Sequence, residues 1–198
     1  MRGLADISDK YSFGEIRVTH EQNLVLPHVE NFLLYNLWNE LKKLDLATPN
    51  IGFITDTICC PGMDYCALAT ARSIPISQKI GNHFKQHHVQ EKIGALKIKI
   101  SGCINACGHH HVGNIGILGL DKNGQESYQI TLGGSAKEDA TIGKIVGPSF
   151  SEDNLIQAIE KIIKTFEKNK NKKDEDFLSV FRRIGIDEFK KDLYDNTS

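Results

Sequence analysis

The chain has 198 residues, enough for one large domain or a domain and a half, so neither a disordered tail nor a disulfide-stapled peptide fits it. Hydrophobic residues make up 40% and charged residues 25%, as in ordinary soluble globular proteins, which excludes a collagenous or low-complexity chain. With 24 Lys and Arg against 25 Asp and Glu the formal charge is −1, so no basic field argues for a nucleic-acid partner and any anion site must be local.

Residues 3–11 place Leu4, Ile7 and Tyr11 at helical spacing, and 15–19 reads as a short strand. The loop His20-Glu21-Gln22-Asn23 leads to a second strand over 24–27. From 28 to 44, Val29, Phe32, Leu33, Leu37, Trp38, Leu41 and Leu44 share one face of an amphipathic helix. Pro49 marks a boundary after this α-β-β-α run, which predicts one domain over 1–47 and another over 48–198.

Residues 51–57 predict a strand that delivers Cys59 and Cys60 to a Pro61-Gly62 turn. A helix follows over about 66–73, and Pro75 opens another that runs to about 88. The strictly alternating segment 96–101 predicts a half-buried strand ending at the loop 102–113. Segments 114–120 and 128–132 form a hairpin around Lys122-Asn123-Gly124, and 144–146 adds a strand, so the sheet is mixed or antiparallel. After Pro148 an amphipathic helix covers 152–166, a solvated linker covers 167–176, and short helices cover 177–184 and 189–194, with Arg182-Arg183 on a solvated face. No apolar run approaches the ~18 to 20 residues of a membrane span, and residues 1–15 hold no apolar signal core, which predicts a cytoplasmic protein without a membrane partner.

Chemistry concentrates in the cysteines. Cys60-x5-Cys66 and Cys103-x3-Cys107 bring four thiols from two loops at strand ends, a set able to wrap one metal centre. Structural zinc sites favour a C-x2-4-C knuckle, and C-x5-C is long for that turn, whereas a cubane needs ligands spread farther apart. Buried small hydrophobes would explain poorly why these cysteines sit beside Pro61, Gly62, Gly102 and Gly108. Gly102, Ala106 and Gly108 keep the second loop slim, so that backbone N–H groups, and Asn105, can approach cluster sulfurs. Cys59 must point away from its neighbour and is expected to be a packed spectator. Three consecutive histidines, His109 to His111, cannot all face one site, and are read as packed, hydrogen-bonded or exposed.

The segments CPGMDYCALATARS (60–73) and SGCINACGHHHVGNIGILG (101–119) resemble the cluster signature of the nitrite/sulfite reductase family. EIRVTHEQNLVL (15–26) resembles that family's ferredoxin-like half-domain, and DFLSVFRRIG (176–185) its C-terminal helix. The resemblance implies an α+β fold, a ferredoxin-like half-domain followed by a mixed-sheet 4Fe-4S domain. It implies that Cys60, Cys66, Cys103 and Cys107 bind a [4Fe-4S] cluster, that Cys107 is shared with a siroheme iron and is thereby the catalytic thiolate, and that Gln22 and Asn23 touch the siroheme. It implies electrons from a ferredoxin or flavoprotein and the six-electron reduction of sulfite to sulfide or nitrite to ammonia.

Members of that family carry two such repeats, and this sequence corresponds to the second. Siroheme and its substrates are anionic, yet near the cysteines stand only Arg72, Lys97 and Lys99, with Arg17 farther back. The resemblance therefore implies a partner, the N-terminal repeat in cis or on a separate chain, that supplies the cations. The competing readings are a non-catalytic iron-sulfur carrier and a structural zinc module.

Overall fold

In the computed structural model, which describes residues 1–194, the chain forms two units, one of residues 1–49 and one that starts at Asn50. In the first, α1 (Arg2–Tyr11) buries Leu4, Ile7 and Tyr11 and ends where Phe13 and Gly14 take positive φ. The strands β1 (Arg17–Val18) and β2 (Leu24–Val25) pair antiparallel, and α2 (Leu34–Lys43) sets Leu37 against Ile7 and Tyr11. Glu40 of α2 accepts from Lys10 Nζ at 2.5 Å and Tyr11 Oη at 2.9 Å, tying the helices on their polar side. The helix expected over 28–44 begins only at Leu34. His28 has a φ of +60° and Glu30 is extended, so neither belongs to a right-handed helix.

The second unit is built on a five-stranded mixed sheet in the order β3-β4-β5-β6-β7. These strands are β3 (Ile58–Cys59), β4 (Ile98–Ser101), β5 (Ile115–Lys122), β6 (Gln125–Leu132) and β7 (Lys144–Ile145). The pairs β3·β4 and β4·β5 are parallel, and the other two are antiparallel. Asn123 and Gly124 both take positive φ between β5 and β6, the geometry of the tight hairpin turn that matches strand twist. The strand expected to be half-buried is instead buried on both faces in all four residues of β4, because it has parallel neighbours on both sides.

The segments on either side of the first cysteine loop also differ from expectation. The strand predicted over 51–57 is a run of turns, because Gly52 N–H donates to Asp56 Oδ2 at 2.9 Å and Phe53 and Asp56 close turns onto Asn50 and Phe53. Only Ile58 and Cys59 remain to pair as β3. The helix predicted from Pro75 to about 88 is split into α3 (Ile74–His83) and α4 (His87–Ile93), with Gln86 extended between them.

Helix α5 (Glu152–Lys168) presents Leu155, Ile159, Ile162, Ile163 and Phe166 to the core. Helices α6 (Phe177–Ile184) and α7 (Ile186–Tyr194) add Phe177, Phe181 and Phe189, whose rings meet one another at centroid separations of 5.8 to 6.4 Å. The expected linker over 167–176 is pinned rather than free. Arg183 grips both carboxylate oxygens of Glu175 at 2.9 Å and the Asn169 carbonyl at 2.7 Å, while Arg182 pairs with Asp139 at 2.6 Å, so the expected solvated arginine face is a pair of anchors.

Phe166 is fully buried and stacks edge-on against Phe177 at 5.4 Å. Phe166→Ala is expected to cost about 3 to 5 kcal/mol, read as a lower urea midpoint at an unchanged slope.

Candidate metal centre

Strands β3 and β4 position the cysteines. Cys59 lies opposite Ile100, and Cys60 N–H donates to the Ile100 carbonyl at 3.1 Å, so the pairing runs one residue beyond β3. Loops 60–73 and 102–113 therefore leave the carboxyl ends of adjacent parallel strands, the edge where open α/β sheets bind ligands. The second loop is also the crossover from β4 to β5.

The two loops are stitched together at Gly102. Its carbonyl accepts from Thr70 N–H at 2.9 Å, Ala71 N–H at 3.0 Å and the Thr70 hydroxyl at 3.0 Å. Met63 N–H closes the first loop onto the Ala71 carbonyl at 3.1 Å. These donors are thus committed across the loops instead of to carbonyls four residues back, and the helix expected over 66–73 is a series of turns. The second loop turns at Ala106 and His109, both left-handed. Gly108 packs so closely on β4 that a Cβ there would lie 1.8 Å from the Ile100 carbonyl oxygen.

Cys60 and Cys103 are buried, Cys66 is half-buried and Cys107 is exposed. Cys60 Sγ accepts from Gly102 N–H at 3.1 Å and lies 3.4 Å from the Ser73 hydroxyl. Cys107 Sγ lies 4.0 Å from the carbonyl oxygen of Asn105, which is exposed. Among the described residues no three His, Cys, Asp or Glu side chains close around a single ion. The fold brings the two cysteine loops together without drawing the four thiols into a mononuclear site. As a donor set they suit an iron-sulfur cluster: four soft sulfurs, glycine-lined loops and a backbone N–H already aimed at one sulfur. Cys59 packs against the core, and burial pushes its thiol pKa up.

Local cations are engaged. Arg72 pairs with Asp64 and Glu126, each at 3.2 Å, Lys97 pairs with Asp56, and Lys99 is buried on β4. Gln22 and Asn23 belong to the first unit, in the turn between β1 and β2, where Asn23 N–H donates to Thr19 Oγ1 at 3.0 Å. Arg17 of that unit pairs with Glu15 at 2.6 Å. Of the histidines, His109 and His111 are exposed and His110 is buried, its Nε2 at 2.9 Å from His111 Nδ1. Sequence reading missed Thr70, Ser73, Glu126 and Tyr128, whose roles depend on partners far along the chain.

A family model described as the nitrite and sulphite reductase 4Fe-4S domain matches residues 52–197, and one described as the nitrite/sulfite reductase ferredoxin-like half domain matches 1–44. The chloroplastic ferredoxin–nitrite reductase of Spinacia oleracea is 29% identical over 174 residues, which covers 82% of this chain and 28% of that protein. The ferredoxin–nitrite reductase of Synechococcus elongatus is 32% identical over 168 residues, covering 81% of this chain and 32% of that one. The chain thus spans about a third or less of these nitrite reductases. The assimilatory-type sulfite reductase of Nitratidesulfovibrio vulgaris is 25% identical over 164 residues, covering 83% of this chain and 72% of that protein. Two solved structures share the fold. The NirA protein of Mycobacterium tuberculosis has a TM-score of 0.78 at 23% identity, covering 94% of this chain and 36% of that one. Dissimilatory sulfite reductase I also has a TM-score of 0.78, at 11% identity, covering 100% of this chain and 66% of that one.

His110 generates a pH prediction. Burial, then the neighbouring His111, lowers its pKa from 6.5 to about 4. Between those values the unfolded chain takes up a proton that the folded chain refuses, so stability falls as pH falls through that window. Urea midpoints measured from pH 7.5 to 4.5 should decline less steeply in His110→Gln than in the unsubstituted chain.

Proposed function

The chain belongs to the nitrite and sulphite reductase family, and from that membership we propose that it is the cluster-bearing half of a siroheme-dependent reductase that takes sulfite to sulfide or nitrite to ammonia in six-electron steps. The observation that carries this reading is the delivery of Cys60-x5-Cys66 and Cys103-x3-Cys107 to neighbouring parallel strand ends, inside the segment that matches the 4Fe-4S domain. The family's cofactors are a four-iron cluster and siroheme.

In this reading Cys60, Cys66, Cys103 and Cys107 hold the cluster. Cys107, the exposed member of the four, also faces the siroheme iron. Asn105 donates toward the cluster sulfurs, and Gln22 and Asn23 are the residues read as touching the siroheme periphery. Siroheme, when bound, supplies the iron at which the oxoanion is reduced. The protein's part is to bury two of the four thiols away from water and to leave the Cys107 sulfur accessible to the second cofactor. Because Arg72 and Lys97 are already neutralised by carboxylates, the cations for the macrocycle and the substrate come from the N-terminal repeat, in the same polypeptide or on a separate one. The electron donor is a ferredoxin or a flavoprotein, and the setting is the cytoplasm.

A second reading is favoured by the Nitratidesulfovibrio vulgaris sulfite reductase, 72% of whose length this chain matches. A polypeptide not much larger than this one carries that activity, so this chain would reduce sulfite without a second repeat.

Methyl-viologen-coupled reduction by the 198-residue chain, reconstituted anaerobically with iron, sulfide and siroheme, separates the readings. The first expects little turnover until the N-terminal repeat is added, and the second expects sulfite turnover from the chain alone. A cluster spectrum with no siroheme uptake under either condition would contradict both and leave an electron carrier.

The ligand set has its own test. Serine at Cys60, Cys66, Cys103 or Cys107 should abolish or convert the cluster and lower stability, because metal binding contributes folding free energy. Cys59→Ser should keep full iron and acid-labile sulfide; iron loss there with retention in Cys60→Ser would move the ligand assignment to Cys59.

A further inference from the structure

Ser73 is fully buried at the N-terminus of α3, yet its hydroxyl makes no capping bond to that helix. Serine is preferred at this position because its oxygen accepts a backbone N–H two or three residues on. Pro75 has no N–H to give, and the hydroxyl lies instead 3.4 Å from Cys60 Sγ. The same sulfur accepts Gly102 N–H at 3.1 Å. Two polar groups from different segments therefore converge on one buried thiol.

The arrangement is held from several sides. A Cβ on either Gly62 or Gly102 would come within 3.0 Å of Ser73 Oγ, so both glycines leave room for the hydroxyl. The preceding residue is clamped by β6, with Arg72 N–H donating to Glu126 Oε2 at 2.7 Å and Tyr128 Oη–H donating to the Arg72 carbonyl at 3.1 Å. Ala71 N–H donates to the Gly102 carbonyl at 3.0 Å. The strand thus fixes the peptide that carries Ser73, and Gly102 ties it to the second cysteine loop.

We infer that Ser73 tunes the cluster: its hydroxyl and the Gly102 N–H donate together to the Cys60 thiolate and raise the cluster's reduction potential. A coordinating thiolate has no proton, so the hydroxyl is the donor in this contact. Reduction adds negative charge to the cluster and its sulfurs, and donors aimed at a ligand sulfur stabilise the reduced form more than the oxidised one. The inference rests on the reading of Cys60 as a cluster ligand and assigns Ser73 as a positioning residue, not a ligand.

Ser73→Ala removes the hydroxyl and little volume. The experiment compares anaerobically purified wild-type chain and Ser73→Ala for iron and acid-labile sulfide per chain, and for midpoint potential by spectroelectrochemical titration. The expected result is equal iron and sulfide with a lower potential in the variant, roughly a tenfold drop in the reduced-to-oxidised ratio at fixed applied potential, or about 59 mV for a one-electron couple. Equal iron with an unmoved potential would overturn the inference while the cluster reading stands. Loss of iron in Ser73→Ala would also overturn it, since the hydroxyl would then be holding the loop together instead of tuning its sulfur. A wild-type chain that takes up no iron would overturn the cluster reading itself, and the inference with it.

Discussion

The parallel pairing of β3 with β4 covers two residues of β3 and continues through the Cys60 N–H, and it fixes where both cysteine loops begin. Were β3 shifted by one residue in register, Cys60 would point to the other face of the sheet and leave Gly102. Strand β4 is held on its far side by four residues of parallel pairing with β5, which in turn pairs along all eight of its residues with β6. The long, well-anchored hairpin thus stabilises a short edge, and the two cysteine loops leave from it.

Close approach is the second constraint. Loops 60–73 and 102–113 meet at backbone distance, which is why a Cβ on Gly102 would fall 2.6 Å from the Ala71 carbonyl oxygen and one on Gly108 would fall on Ile100. Backbone packed this tightly must satisfy its own polar groups, and the Gly102 carbonyl does so with three donors from Thr70 and Ala71. The same network leaves buried thiols and an exposed one side by side in sequence order, Cys103 inward and Cys107 outward. The four cysteines thus run from core to surface.

Much of the frame was legible in the sequence because it is local. The hairpin announced itself through alternating residues around Asn123-Gly124, helix α5 through its apolar stripe, and the cysteine loops through paired spacing beside glycines. The misreadings have two causes, local side-chain or backbone turns that composition does not show and contacts distant in sequence. Residues 51–57 have strand composition, but Asp56 folds them into turns, and residues 66–73 have helical composition, but Gly102 takes their N–H groups. Ser73 looks like an ordinary helix cap, and only the fold shows its hydroxyl turned toward a sulfur 13 positions earlier. Arg182 and Arg183 look solvent-facing until Asp139 and Glu175 are brought to them.

The account stands on one claim, that these two loops hold one four-iron cluster. Native mass spectrometry of the anaerobically purified chain tests it most directly. The account predicts a mass increment of one [4Fe-4S] unit per chain, lost on exposure to an iron chelator under oxidising conditions. A bare chain after reconstitution with iron and sulfide, or an increment of a single zinc ion, would contradict it.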